Sequence, residues 1–401
     1  MEKFGREYLK TILEINKHFE GYVDSYFGPP ELKKQVEDSS PRSIAVLMEE
    51  VEVLGDLIPA EGKQKEYLKK CLKSMETTLK IINGEKLEFY DEIKNIFDVK
   101  PRLISDKRIL EMRETLLDIF TRDQDETSLY QLYREWTKQF CLGKGELAKA
   151  ITLTLEEVKT RSRAEFPLVK GEKVKLNFVE NQPWKAYNYY LGNATSKIDI
   201  NLDYPYYAFE IPRIMAHETY PGHHHLLQLR EKILYQEKEH FEAAVCTLQS
   251  PLNVIAEGSA NLAWEVIFPD DELYQWLEKV LFPEVNIKLS SPELDIFYQV
   301  LETADQLLMP EMSFNIITRA TVNYYQEKMN KTETINYIKE YGLVSPETAV
   351  SLMEMIEMPL MRSYMTIYSE GYHLCKAYVS RSDPGKKFEK LLTENILPSW
   401  L

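Results

Sequence analysis

Cysteine, histidine, long apolar runs and positive charge are all scarce in this 401-residue chain, and each scarcity excludes something. The four cysteines, at 71, 141, 246 and 375, lie far apart with no Cys-x-x-Cys pair, so neither a disulfide framework nor a thiolate zinc knuckle is available. Isolated thiols of this kind are expected to be small apolar core residues. No stretch approaches the roughly 20 apolar residues of a membrane helix, and the start, Met-Glu-Lys-Phe-Gly-Arg-Glu, runs into an amphipathic pattern rather than an apolar signal core. The expectation is a cytoplasmic protein. Lys and Arg number 49 against 64 Asp and Glu, and the net charge of −15 argues against nucleic acid or an anionic membrane as a main partner. With 44% hydrophobic and 28% charged residues, the chain is long enough to bury a large core in one big domain or two lobes.

The histidines that are present are concentrated. Four of the seven fall within nine residues, in Ala-His217-Glu218-Thr-Tyr-Pro221-Gly222-His223-His224-His225. Imidazole is the commonest protein ligand for zinc, and a glutamate right after a ligating histidine sits where it can take a proton from metal-activated water. The run is close to the HExxH motif without matching it, because Pro221 occupies the position four after His217. On a straight helix, the six residues to His223 rotate about 600° and rise about 9 Å, and the seven to His224 rise about 10.5 Å. Neither brings two nitrogens to about 2.0–2.1 Å from one ion. Pro221-Gly222 offers the way out: a helix that ends near Tyr220 and restarts with Pro221 in its first turn would let His217 converge with His223 or His224.

A zinc site needs a third protein ligand. The stretch Leu248-Gln-Ser-Pro-Leu-Asn-Val-Ile-Ala-Glu257-Gly258-Ser259-Ala260-Asn261-Leu-Ala-Trp264 supplies a candidate: Glu257 lies inside an apolar helical run, where a carboxylate is costly unless paired or metal-bound.

These residues carry a resemblance. HETYPGHH with a Glu-Gly about thirty residues downstream resembles the DUF885 family, an uncharacterised group placed with the gluzincin metallopeptidases of the zincin superfamily. The segment Ala186-Tyr-Asn-Tyr-Tyr-Leu-Gly192 through Asn201-Leu-Asp203-Tyr-Pro205 is similar to what those proteins carry before the HE motif. Gly21-Tyr-Val-Asp24-Ser-Tyr-Phe-Gly28-Pro29 and the closing Tyr368-Ser-Glu-Gly371 look like the family as well. The resemblance implies Zn²⁺ held by His217, Glu257 and His223, with His224 the alternative to His223, Glu218 as general base, and Tyr368 as a supporting catalytic residue; Arg362, as a clamp for a substrate carboxylate, is the alternative supporting residue. Asn261 stands where related sequences have aspartate four after the glutamate, which keeps a hydrogen-bonding group and removes a charge from any role in orienting a histidine.

The expected fold is mainly α with a small antiparallel β-sheet, a zincin-like metallopeptidase architecture with an N-terminal helical part over 1–165 and a metallopeptidase-like part over 166–401. Apolar positions at three- and four-residue spacing predict helices over 1–20, 42–83, 107–121, 126–139 and 146–164. From 172 to 203, alternation and β-forming residues predict the sheet, with turns at Asn181-Gln-Pro183 and Gly192-Asn193. Helices resume at about 206, with breaks near Pro269, Pro283 and Pro346. The strand at 197–202, directly before the HE helix, is the candidate for binding a peptide as an added strand.

The function expected from all this is hydrolysis of a peptide or another small amide by metal-activated water. The alternatives are a metal-dependent hydrolase of a non-peptide ester or amide and a catalytically silent binding protein of the same fold.

Overall fold

A computed structural model describes residues 3–120, 128–182, 184–312, 314–326 and 329–401, and of 305–312 the backbone alone. Pro183 of the expected turn, and residues 121 and 126–127 at two expected helix ends, lie outside the described residues. The chain is mainly helical with two small sheets. No described helix is long and apolar enough to cross a membrane.

The N-terminal helices are Lys3–Asn16, Pro30–Glu37, Ile44–Asp56 and Gly62–Ile82. The last two replace the single helix expected over 42–83. The apolar spacing continues across the join, but Pro59 cannot continue a helix and Gly62 adopts φ +56°, so the chain turns there. Ser43 caps the first of the pair by accepting from the Val46 N–H. Helices at Phe89–Phe97, Asp106–Phe120, Leu129–Lys138 and Lys144–Glu165 follow, the third opened by a Ser128/Gln131 capping box.

The sheet expected over 172–203 forms, but it is mixed rather than antiparallel. Strands β2 (Lys173–Val179), β3 (Ala186–Tyr190) and β4 (Thr195–Asn201) lie in the order β2-β4-β3. β3 and β4 make an antiparallel hairpin through a turn in which Gly192, Asn193 and Ala194 all have positive φ. β2 pairs with β4 in parallel, from Lys173 opposite Thr195 to Val179 opposite Asn201. Alternation reveals which residues share a face and leaves strand direction open, which is why the parallel edge was not foreseen. A second, two-stranded sheet pairs β1 (Val23–Tyr26) with β5 (Val245–Thr247) antiparallel. Its register shifts between Val23 and Ser25, which leaves Asp24 as the unpaired residue of a bulge.

The largest core draws on both sides of residue 165: Trp136, Phe140 and Ile151 pack with Ile198, Phe209, Phe268, Phe282 and Phe297. A second cluster joins the first helices to Ala244, Val245 and Leu397. Three cysteines are buried as expected, whereas Cys141 is exposed, in an isolated bridge to Tyr207.

One packing contact sets up the site. Helices Pro251–Ile267 and Ile367–Val379 cross at Gly258 and Gly371, so closely that a Cβ on Gly258 would come within 2.3 Å of the Gly371 carbonyl group and one on Gly371 within 2.3 Å of the Val254 carbonyl oxygen. Only glycine permits this backbone approach. The Glu-Gly and Tyr-x-x-Gly motifs of the sequence are thus the two halves of one helix crossing, which brings Glu257 beside Tyr364 and Tyr368.

Candidate metal centre

The HE helix runs Ile211–Glu218 and stops, and the next helix is His223–Leu229. Between them the Tyr220-Pro221 peptide is cis, and the Gly222 N–H donates to the Ala216 carbonyl at 2.9 Å. A Cβ on Gly222 would sit 1.9 Å from the His217 carbonyl oxygen, so the chain folds back over the helix end only because that residue is glycine. The second helix begins at His223, two residues later than the sequence suggested.

This reversal places His217 Nε2 and His223 Nε2 3.0 Å apart. Glu257 Oε2 lies 3.5 Å from the first and 3.8 Å from the second. Among the described residues, these three form the one His/Cys/Asp/Glu group whose ligand atoms all lie within 4.8 Å of one another. A triangle with those sides has a circumradius of about 2.0 Å, so a single ion just off its plane is about 2.0–2.1 Å from all three atoms, the range of zinc–imidazole and zinc–carboxylate bonds. Glu257 Oε2 is buried without a hydrogen-bond partner. An orphaned carboxylate oxygen aimed between two imidazoles is what a cation would satisfy.

Electrostatics agree with the donor geometry. Burial holds His217 down to about 4 against an opposing hydrogen bond with Asn261, and burial plus the neighbouring His217 hold His223 well below the usual imidazole range. Both rings are therefore neutral and able to ligate. Burial pushes Glu257 up to about 8, with the Tyr364 hydrogen bond opposing and the charge of Asp24 reinforcing. The carboxylate lacks a counter-charge, and a divalent cation would supply it.

The surrounding residues hold the three candidate ligands. Tyr364 donates from its hydroxyl to Glu257 Oε1 at 3.0 Å, and Tyr368 donates to the Tyr364 hydroxyl at 3.5 Å. The Tyr368 ring stacks on Phe314 with centroids 4.6 Å apart. Asn261 hydrogen-bonds His217, so the asparagine keeps an orienting contact without the charge of an aspartate. Glu218 is 8% exposed at the end of the HE helix, and its backbone carbonyl accepts from Asn188 Nδ2 of β3 at 2.6 Å. Its charge acts on both Tyr187 and Tyr368, which puts all three in one electrostatic neighbourhood.

His223 is the histidine that converges with His217 and Glu257, and His224 is held by other groups. Its Nδ1 lies 2.8 Å from Ser196 Oγ and its Nε2 3.2 Å from Glu172 Oε2. Tyr220 donates to the same carboxylate and Lys159 pairs with it at 2.8 Å. Ser196 and His224 are both fully buried, so this serine, histidine and glutamate tie the helix to β4 and offer no nucleophile to solvent. His225 is likewise engaged, 2.8 Å from the Pro167 carbonyl.

Two sequence expectations do not survive. Arg362 is no carboxylate clamp: its guanidinium binds Glu92 through Nε at 2.9 Å and through Nη2, donates to the Leu87 carbonyl, and lies over Phe89 and Tyr325. It is a strut between distant helices. The strand at 197–202 cannot take a peptide as an added strand either, because β4 is central and both its edges are paired. β3, paired with β4 alone among the described strands and anchored to the HE segment through Asn188, is the edge strand beside the site. Sequence reasoning missed Tyr364, whose signal is its place one helical turn before Tyr368. A cavity of about 400 Å³ lined by Lys63, His240, Tyr378 and Trp400, among others, shares no residue with the metal centre.

No family model matches the sequence, and no curated protein does. The fold resembles that of a protein from Colwellia psychrerythraea described as a putative lipoprotein, with 14% identity and a TM-score of 0.54 over 92% of this chain. The chain spans only about 60% of that protein. A second described in the same words, of unknown function, from Shewanella oneidensis aligns at 12% identity and a TM-score of 0.45 over 91% of this chain and 70% of its own. At such identity the first likeness is one of fold alone.

Proposed function

We propose that this chain is a zinc-dependent peptidase with a zincin-like, DUF885-type site, and that His217, His223 and Glu257 hold the metal. The observation that carries the reading is the ligand triangle, whose size matches one ion and whose third corner is a buried, unpartnered carboxylate oxygen. Zinc bound there supplies Lewis-acid polarisation of an acyl carbonyl and raises the acidity of water. The remaining work falls to the side chains. Glu218 takes a proton from the attacking water and returns it to the leaving amine. Tyr368 keeps its proton, since burial raises its hydroxyl well above the ordinary range, and turns it from the long contact with the Tyr364 hydroxyl to donate to the developing oxyanion. Tyr364 and Asn261 orient Glu257 and His217, and β3 offers its free edge to an extended peptide.

Elemental analysis of protein purified without added metal or chelator tests the first step. Near-stoichiometric zinc is expected, and His217→Ala abolishes it. Glu218→Gln should keep the zinc while hydrolysis of peptides falls by about 10²–10⁴, the loss typical of a general base. A wild type that neither retains zinc nor takes it up at micromolar concentration refutes the reading.

A further inference from the structure

Asp24 belongs to no part of the machinery described so far. It comes from the N-terminal half, on the bulge where β1 loses register with β5. Bulges of this kind re-aim a side chain. Here the carboxylate is turned toward β3, where the Tyr187 hydroxyl donates to Oδ1. Tyr187 is next along the strand to Asn188, which holds the HE segment.

Through Tyr187 and Asn188, Asp24 is two hydrogen bonds and one peptide unit from the end of the HE helix. Its charge acts on Glu257, on Tyr368 and on Tyr187. It is not a further ligand, since the described residues whose donor atoms converge are His217, His223 and Glu257 alone. Nor does it have a cationic partner: among the described residues, no lysine or arginine pairs with it, and a neutral phenol is its hydrogen-bond donor. Burial accordingly pushes its carboxyl up to about 6, with the Tyr187 hydrogen bond opposing. Yet Asp24 is only half-buried, as His217 and His223 are, so it retains access from solvent.

Charge balance then singles out the missing group. The two imidazoles of the site are neutral and do not compensate the Asp24 carboxylate. A divalent ion held by His217, His223 and Glu257 would not ligate Asp24, whose carboxylate is left without a cation among the described residues. The opposite arrangement, a cation awaiting a substrate carboxylate, has lost its candidate, because Arg362 is committed to Glu92.

We propose that Asp24 anchors the free α-ammonium group of a peptide substrate, with Tyr187 as its positioning residue, so that the metal centre acts at an amino terminus. This rests on the peptidase reading above. An ammonium at Asp24 makes a charge-assisted hydrogen bond inside a recess, the kind of contact that gives selectivity against a neutral analogue.

The test uses two probes that differ only at the amine. Leucine hydroxamic acid and its Nα-acetyl derivative are titrated by calorimetry into the zinc-loaded full chain, with zinc content measured on the same samples. The wild type should bind the free amine at least about tenfold more tightly, the scale of one such hydrogen bond. Asp24→Asn should bring the ratio near one, with zinc content and affinity for the acetylated probe unchanged. Equal binding of both probes by a zinc-loaded wild type overturns the assignment and leaves the metal site standing, whether or not the variant folds. Protein that holds no zinc and binds neither probe sinks the peptidase reading, and this proposal with it.

Discussion

Gly371→Ala probes how the metal centre is held from a distance. The new Cβ would lie 2.3 Å from the Val254 carbonyl oxygen and 3.1 Å from the Gly258 Cα and N. Those atoms are helix backbone and cannot rotate aside, so helices Pro251–Ile267 and Ile367–Val379 must part by about 1 Å to restore ordinary contact. Overpacking of this sort costs about 1–3 kcal/mol. The functional consequence follows from Glu257, the neighbour of Gly258. A displacement of about 1 Å carries Oε2 from about 2.0 Å to about 3 Å from the ion position, outside the 2.0–2.2 Å of a zinc–carboxylate bond. Urea unfolding should therefore show a lower midpoint, and competition with a chelator should show zinc affinity reduced at least about tenfold. Gly145→Ala is the control: it lies in helix Lys144–Glu165, nothing stands within 4 Å of its Cβ, and it should be neutral or stabilising by about 0.4–1 kcal/mol. A Gly371→Ala protein that unfolds at the wild-type urea concentration and binds zinc as tightly would refute the crossing as a determinant of the site.

Two further outcomes are expected. Tyr364→Phe removes the hydroxyl that holds Glu257 Oε1 and should weaken zinc by about 10–100-fold without removing a ligand, as read by the same competition; unchanged affinity would strip Tyr364 of its positioning role. Glu172 bears on acid stability. Burial opposes its charge, but hydrogen bonds from His224, Lys159 and Tyr220 outweigh that and hold it down at about 2, against an ordinary 4.5. A depressed carboxyl stabilises the fold above its unfolded value and loses that contribution as pH falls through the folded one, so Glu172→Gln should flatten the stability profile between about pH 4.5 and 2; a profile identical to the wild type's in that window would contradict the assignment.

What the sequence made legible is what neighbouring residues determine. Pro221-Gly222 between His217 and His223 announces a break, and a break is the one local device that reconciles a spacing of six with a shared ion. Glu257 stood out because a carboxylate in an apolar helical run demands a partner. The choice between His223 and His224 was not local. It is decided by Ser196 and Glu172, which capture His224 from 28 and 52 positions upstream. Arg362 looked free for the same reason, since Glu92, its partner, lies 270 positions earlier. Strand direction in the small sheet and the pairing of β1 with β5 likewise depend on where the chain goes between strands, and the alternation of apolar residues does not record that.

Breaking the helix has a consequence that an HExxH helix does not share. In a continuous helix, hydrogen bonds of the helix itself fix the separation of ligands four apart. Here the separation is fixed by the fold-back, with Gly222 N–H on the Ala216 carbonyl and His225 N–H on the Thr219 carbonyl. The HE helix therefore ends at Glu218, and its last carbonyls need partners from outside. Asn188 of β3 satisfies the Glu218 carbonyl, and in doing so pins the segment that carries both a proposed ligand and the proposed base to the edge strand of the sheet. The next residue back along that strand, Tyr187, holds Asp24. Interrupting the helix thus turns an orphaned helix terminus into the joint between the metal centre and the N-terminal half of the chain, so that β3 ties the proposed amine anchor and the proposed general base to one rigid element.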